Sequence, residues 1–199
     1  DEPRELGFDE TRIERAFGVV RRFVEEGSIP GAVALAGTAA GALAPRAFGY
    51  QKLVPEREPA SPETIYDCAS VTKVVVTTTL ALVALESGLL RLDDRVASWV
   101  PGFADGPGQD PKARSEVTLR HLLTHTSGLT AWAPLFEGRK RDDGDEPGRG
   151  EDAGSLHPVI RRICREPLAY APGSAVVYSC LGFILLGHIV SRALGAPLD

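Results

Sequence analysis

At 199 residues with a net charge of -5, the chain has room for one large domain or two small ones and for a substantial core. Lys+Arg 22 against Asp+Glu 27 leaves no basic footprint for nucleic acid and no polybasic patch for a membrane surface. No apolar run is long enough to span a bilayer, so no membrane segment is expected in this chain. The sequence starts at Asp1 and holds no methionine, which predicts a removed leader or a piece of a longer chain; no signal peptide is visible. Cys68, Cys164 and Cys180 are odd in number and lack C-x-x-C spacing, so small buried thiols are expected rather than a disulfide framework.

In chain order, Asp9 to Glu26 reads as an amphipathic helix capped by Asp9 or Thr11, with Ile13, Phe17, Val20, Phe23 and Val24 on one face and Gly27 as the stop. Ala32 to Ala36 and Ala42 to Tyr50 read as two strands of a hairpin reversing at Ala39-Ala40-Gly41. Gln51 to Pro62 holds three prolines and reads as a loop.

A buried helix is predicted from about Ser70 to Glu86, closed by Ser87-Gly88. Its valines and three consecutive threonines are poor helix formers, so a strand over Val71 to Leu82 competes locally, and length argues against it. A short helix is expected between Leu89 and Phe103, a loop over Ala104 to Arg114, and a helix from Leu119 to about Thr124 capped by Thr118. Glu137 to Asp152 is charged, Gly-containing and nearly free of aliphatics, and reads as a surface loop. Leu156 to Arg165 reads as a helix, Pro172-Gly173 as a turn, and Leu181 to Leu194 as a second buried helix ended by Gly195.

Three features carry chemistry. Ser70 and Lys73 stand one turn apart, on the same helix face. A serine hydroxyl is a weak nucleophile until a base takes its proton. Desolvating an ammonium is costly, so a lysine beside an apolar helix calls for a partner, and Ser70 is the nearest. The bland alternative is a surface lysine beside a capping serine. Tyr178, after the Pro-Gly turn and before an apolar helix, can shuttle a proton in a cleft or can be an ordinary half-buried tyrosine. His121 and His125 stand four apart, a spacing that zinc uses on a helix. No glutamate lies between them at the metalloprotease position and no third ligand is evident, so structural histidines are expected.

Taken together, Ser70-Val71-Thr72-Lys73 with Glu86-Ser87-Gly88-Leu89 behind it, Leu92-Asp93-Asp94, His121-Leu122-Leu123-Thr124-His125-Thr126-Ser127-Gly128-Leu129, Pro172-Gly173 and Tyr178-Ser179 resemble the β-lactamase-related serine hydrolases. This superfamily holds class C β-lactamases, D-alanyl-D-alanine carboxypeptidases and penicillin-binding esterases. The resemblance implies an α+β, β-lactamase/transpeptidase-like fold: an antiparallel sheet flanked by helices, beside a helical region. On this reading residues 1–66 carry the N-terminal helix and hairpin, and residues 67–199 the mainly helical region. It implies an acyl-enzyme mechanism on an ester or amide, with Ser70 as nucleophile, Lys73 as its activator and Tyr178 moving protons. It calls for no cofactor and no metal, and for a small-molecule or peptide substrate; it leaves oligomeric state open and favours a periplasmic or extracellular setting.

Two departures stand out. Cys180 occupies the position where the family's Tyr-x-Asn motif places an amide, making Cys180 a candidate substrate-binding residue of weaker hydrogen-bonding power. The family's downstream Lys-Thr-Gly or His-x-Gly strand is not reached within the roughly twenty residues after Tyr178, which predicts a fragment without the C-terminal strands. A two-stranded hairpin with an exposed edge would remain. The competing reading is a penicillin-binding-like fold with a binding or regulatory role and no turnover.

Overall fold

The computed structural model describes residues 2–107, 111–135 and 156–198. The predicted loop over Glu137 to Asp152 lies outside the described residues. The chain divides into two compact units, Asp1–Asp67 and Cys68–Asp199.

The first unit begins with α1, Glu10–Glu25, whose cap is Asp9: its carboxylate accepts from the Arg12 amide at 2.9 Å. The helix buries Ile13 and Phe17, which form a small core with Leu6 and Leu43. Strand β1, Gly31–Ala34, is joined through the short rungs β2, Gly37–Thr38, and β3, Gly41–Ala42, to β4, Arg46–Lys52. The β1 and β4 strands pair antiparallel, Gly31 opposite Gly49 and Ala34 opposite Arg46. Gly49 has φ +67, and a Cβ there would stand 2.5 Å from the Pro30 carbonyl oxygen, so no other residue fits without displacement. The Arg46 guanidinium reaches Glu14 at 2.7 Å and covers the Phe17 ring, tying the sheet to α1.

The expected two-stranded hairpin is in fact a three-stranded sheet of order β1-β4-β5. Its third strand, β5, is only Glu58–Pro59, inside the segment read as a loop. Two residues, one of them a proline, carry no alternation to read, and a proline is tolerated on a sheet edge because it need not donate there.

The second unit is helical. Residues 73–78 form one π-helical stretch that runs into α2, Thr79–Glu86. There follow α3, Val96–Trp99, α4, Pro111–Ser115, α5, Leu119–Leu123, α6, Pro158–Arg165, and α7, Cys180–Leu194. The α7 helix is the spine: Leu181, Leu185, Leu186, Ile189 and Val190 are buried among Leu119, Leu122, Ala81, Ala84 and Ile163. Ser179 caps its start, accepting from the Gly182 amide at 3.1 Å, and Gly195 at φ 68 ends it. Among the described residues no helix is long and apolar enough to cross a membrane.

Two expectations change here. The stretch Ala104 to Arg114, read as a loop, ends in α4, and Arg114 is fully buried. Its guanidinium donates to the carbonyls of Phe103 at 2.7 Å, Cys164 at 3.0 Å and Glu166 at 2.7 Å. Burial lowers the Arg114 pKa from its ordinary value. The helix after Ser70 is also not buried on all sides. Thr77, Ala81 and Ala84 face the core, but Val74 and Val75 are 66% and 63% exposed. The described residues cover only one side of this helix, and its apolar composition does not reveal that.

Candidate active site

Ser70, Lys73, Tyr178 and Cys180 all belong to the second unit. The approach to Ser70 is tight: the Val71, Thr72 and Lys73 amides donate to the carbonyls three residues back, at Cys68, Ala69 and Ser70. Ala69 adopts φ 42, a left-handed conformation that costs a residue with a Cβ about 1 kcal/mol or more. Beyond Lys73 the winding loosens. Thr78 Oγ1 donates to the Lys73 carbonyl at 2.8 Å and Thr79 Oγ1 to the Val74 carbonyl at 3.1 Å, both five residues back. These hydroxyls bind the carbonyls of the widened turns, which explains how a run of valines and threonines lies in a helix.

The tight turn places Lys73 Nζ 3.1 Å from Ser70 Oγ. This is hydrogen-bond distance and the reach a base needs to take the hydroxyl proton. Lys73 is half-buried rather than sealed in a dry core, and Ser70 is exposed. The 3.1 Å contact, not burial of a charge, therefore pairs Lys73 with Ser70. Lys73 Nζ also lies 5.2 Å from the centroid of the Tyr178 ring, within cation–π range. Tyr178 is 51% exposed. Cys180 begins α7, and its amide donates to the Ala131 carbonyl at 2.9 Å. Ala69, Lys73 and Cys180 line one pocket of about 370 Å³, whose apolar wall includes Phe183, Ile184 and Leu198.

The two histidines part company. The α5 helix ends at Leu123, so His125 stands beyond its C-cap with φ 57, and the helical face that would present both rings to one metal does not exist. His121 closes a capping box: the Thr118 amide donates to His121 Nδ1 at 3.2 Å and the His121 amide to Thr118 Oγ1 at 3.4 Å. His125 reaches the Tyr178 segment. Its Nδ1 accepts from the Ser179 amide at 3.0 Å, and its ring packs on Tyr178 at 4.6 Å between centroids. The expected structural role of His125 does not include this contact with a segment 54 residues away. The available signal was the following Thr126-Ser127-Gly128 turn, which redirects the chain toward residues far along the sequence. Gly128 has φ +88, and a Cβ there would meet the Tyr170 carbonyl oxygen at 2.5 Å. Burial first, and the Lys73 charge second, lower the His125 pKa from its ordinary value.

Comparison with known proteins agrees with this layout. The chain is 37% identical over 191 residues to esterase EstB of Burkholderia gladioli, covering 92% of this chain and 46% of that protein. It is 35% identical over 145 residues to a protein named as a putative D-alanyl-D-alanine carboxypeptidase of Escherichia coli K12, covering 70% of this chain and 31% of the relative. The chain thus spans less than half the length of these relatives. A class C beta-lactamase crystal structure superimposes with a TM-score of 0.71 at 24% identity, over 96% of this chain and 47% of that one. The fold is therefore the α+β β-lactamase/transpeptidase-like one. With the Beta-lactamase family model matching residues 17–199, the chain belongs to the beta-lactamase family.

Proposed function

We propose that the whole protein is a serine hydrolase that acts on an ester or amide through an acyl-enzyme, with Ser70 as nucleophile. The observation that carries this reading is the 3.1 Å contact between Lys73 Nζ and Ser70 Oγ within one turn. With Lys73 as the neutral amine, Ser70 Oγ attacks the substrate carbonyl carbon as its proton passes to the Lys73 Nζ lone pair, leaving the Lys73 ammonium. The tetrahedral intermediate collapses to the Ser70 ester and expels the alcohol or amine, which leaves with a proton delivered through Tyr178. Water then attacks the acyl carbon, gives up its proton to the same pair, and releases the acid and free Ser70. The start of the helix adds positive potential where the oxyanion develops. Cys180, on the wall of the same pocket as Lys73, is the proposed substrate-contacting residue.

An ester is the favoured substrate class, since a relative 37% identical over 92% of this chain is named an esterase. Peptide and β-lactam substrates are the alternatives. Treating the whole protein with a fluorophosphonate, then mapping the label, tests the nucleophile: modification at Ser70, absent in Ser70→Ala, is expected. A folded protein without label would refute the reading. Parallel assays with p-nitrophenyl acetate, nitrocefin and D-Ala-D-Ala peptides assign the class.

A further inference from the structure

His125 touches the Tyr178 segment in three ways. Its carbonyl accepts from the Val177 amide at 2.9 Å, and its Nδ1 accepts from the Ser179 amide at 3.0 Å. One residue therefore binds the amide N–H of the residue on each side of Tyr178. Its ring also lies between two others, 4.6 Å from Tyr178 and 4.9 Å from Phe183 by centroids. The left-handed conformation of His125, φ 57, turns the chain so that its carbonyl and imidazole reach the same segment. Tyr170 Oη donates to the same carbonyl at 3.3 Å.

An imidazole nitrogen that accepts an amide proton must hold its lone pair, so this bond assigns the proton of neutral His125 to Nε2. Protonation puts the ring's second N–H on Nδ1, which then faces the Ser179 N–H donor to donor. We propose that neutral His125 is the positioning residue of Tyr178, and that its protonation releases the tyrosine segment and turns the enzyme off in acid. The proposal rests on the reading of Tyr178 as the proton carrier.

The titratable and charged groups described around the imidazole come from each element packed on it. Tyr178 and Tyr170 come from the segment before α7, and Lys73 from the helix after Ser70. The Lys73 charge opposes a second cation at His125, so the released state lies below the ordinary histidine range.

Two measurements on the whole protein test the idea. The first needs no activity: histidine 15N NMR against pH, with exchange of the Ser179 amide. An Nε2–H tautomer is expected, with the Ser179 protection factor, corrected for the intrinsic slowing of exchange in acid, falling about tenfold or more as His125 protonates. An Nδ1–H tautomer, or a protection factor indifferent to that titration, would overturn the proposal. The second is the pH profile of kcat for p-nitrophenyl acetate. Asparagine tolerates left-handed backbone and offers an acceptor that does not titrate. His125→Asn is therefore expected to lower kcat three- to tenfold, to leave KM within about threefold, and to remove the acid limb. His125→Gly, which suits φ 57 but has neither acceptor nor ring, should lower kcat about 100-fold. An acid limb unchanged in His125→Asn would overturn the proposal. If the wild type is neither active nor labelled at Ser70, the hydrolase reading fails instead, and the NMR result alone decides whether His125 anchors the segment.

Discussion

Lys73 Nζ stands over the face of the Tyr178 ring, 5.2 Å from its centroid, while it contacts Ser70 Oγ at 3.1 Å. Lys73 thus links Ser70 to a residue on a distant segment. The contact with the ring and any proton transfer by the phenol are separable. Tyr178→Phe retains the ring under Lys73 and removes only the hydroxyl. If the hydroxyl carries protons, Tyr178→Phe lowers kcat by roughly 10²- to 10⁴-fold with an unchanged melting temperature. A fall of less than threefold would leave the ring contact as the sole role of Tyr178.

Ser70→Ala and Lys73→Ala should each abolish most hydrolysis, by about 10³-fold or more, and the double variant should be no worse than the single ones. Groups that act as one unit lose their whole effect when either member goes. Steady-state rates of the three variants check this; losses that multiply would separate the two residues.

Ala69 holds φ 42 immediately before Ser70. Glycine removes the clash of Cβ in that region but gains freedom in the unfolded chain, so the two effects partly cancel. Ala69→Gly is expected to change stability by no more than about 1 kcal/mol, whereas the β-branched Ala69→Val should destabilise by about 2 kcal/mol or more. Urea denaturation distinguishes them. Equal destabilisation by both substitutions would show that the left-handed turn is not what constrains this position.

Arg114 is buried and spends its donors on three carbonyls from two parts of the chain. Each carbonyl left without a donor costs about 1–3 kcal/mol. Arg114→Met should therefore destabilise by about 3 kcal/mol or more. Arg114→Lys recovers little, because a compact ammonium cannot match the guanidinium fork. Gly106 shares this constraint, since a Cβ there would meet the Cys164 carbonyl oxygen at 2.2 Å and the guanidinium carbon at 2.5 Å. Gly106→Ala should consequently destabilise as well, and a melting temperature equal to wild type would refute the tight fit.

Burial, followed by the charges of Arg95 and Arg120, holds the His121 pKa below its ordinary value of 6.5. The unfolded chain then binds the extra proton first, so this contribution is complete above about pH 6.5 and is lost as the pH falls toward the folded pKa. Protonation also removes the lone pair that accepts the Thr118 amide. Urea midpoints at pH 7.5, 6.0 and 5.0 should fall with acidification, and more steeply than in His121→Asn. Identical slopes would place the pH dependence elsewhere.

Much of the local structure was legible from residues alone. Asp9, Thr118 and Gly195 mark helix ends because caps act within one turn, and the Ser70–Lys73 contact follows from helical spacing. The edge strand Glu58–Pro59 was not legible, because its pairing is set by β4 and not by its own two residues. Nor was the widening after Lys73, where threonine hydroxyls reach carbonyls five residues back.

The sequence by itself determined the Ser70–Lys73 spacing and the order of the motifs, all of which are short-range information. Folding decided which distant residues meet them. Tyr178 comes to Lys73 because α7 packs in the core of the second unit, and His125 comes to Tyr178 because a left-handed turn after α5 aims it there. Such contacts depend on the summed burial of many apolar side chains and on backbone groups finding partners. Neither leaves a mark at the residues it brings together.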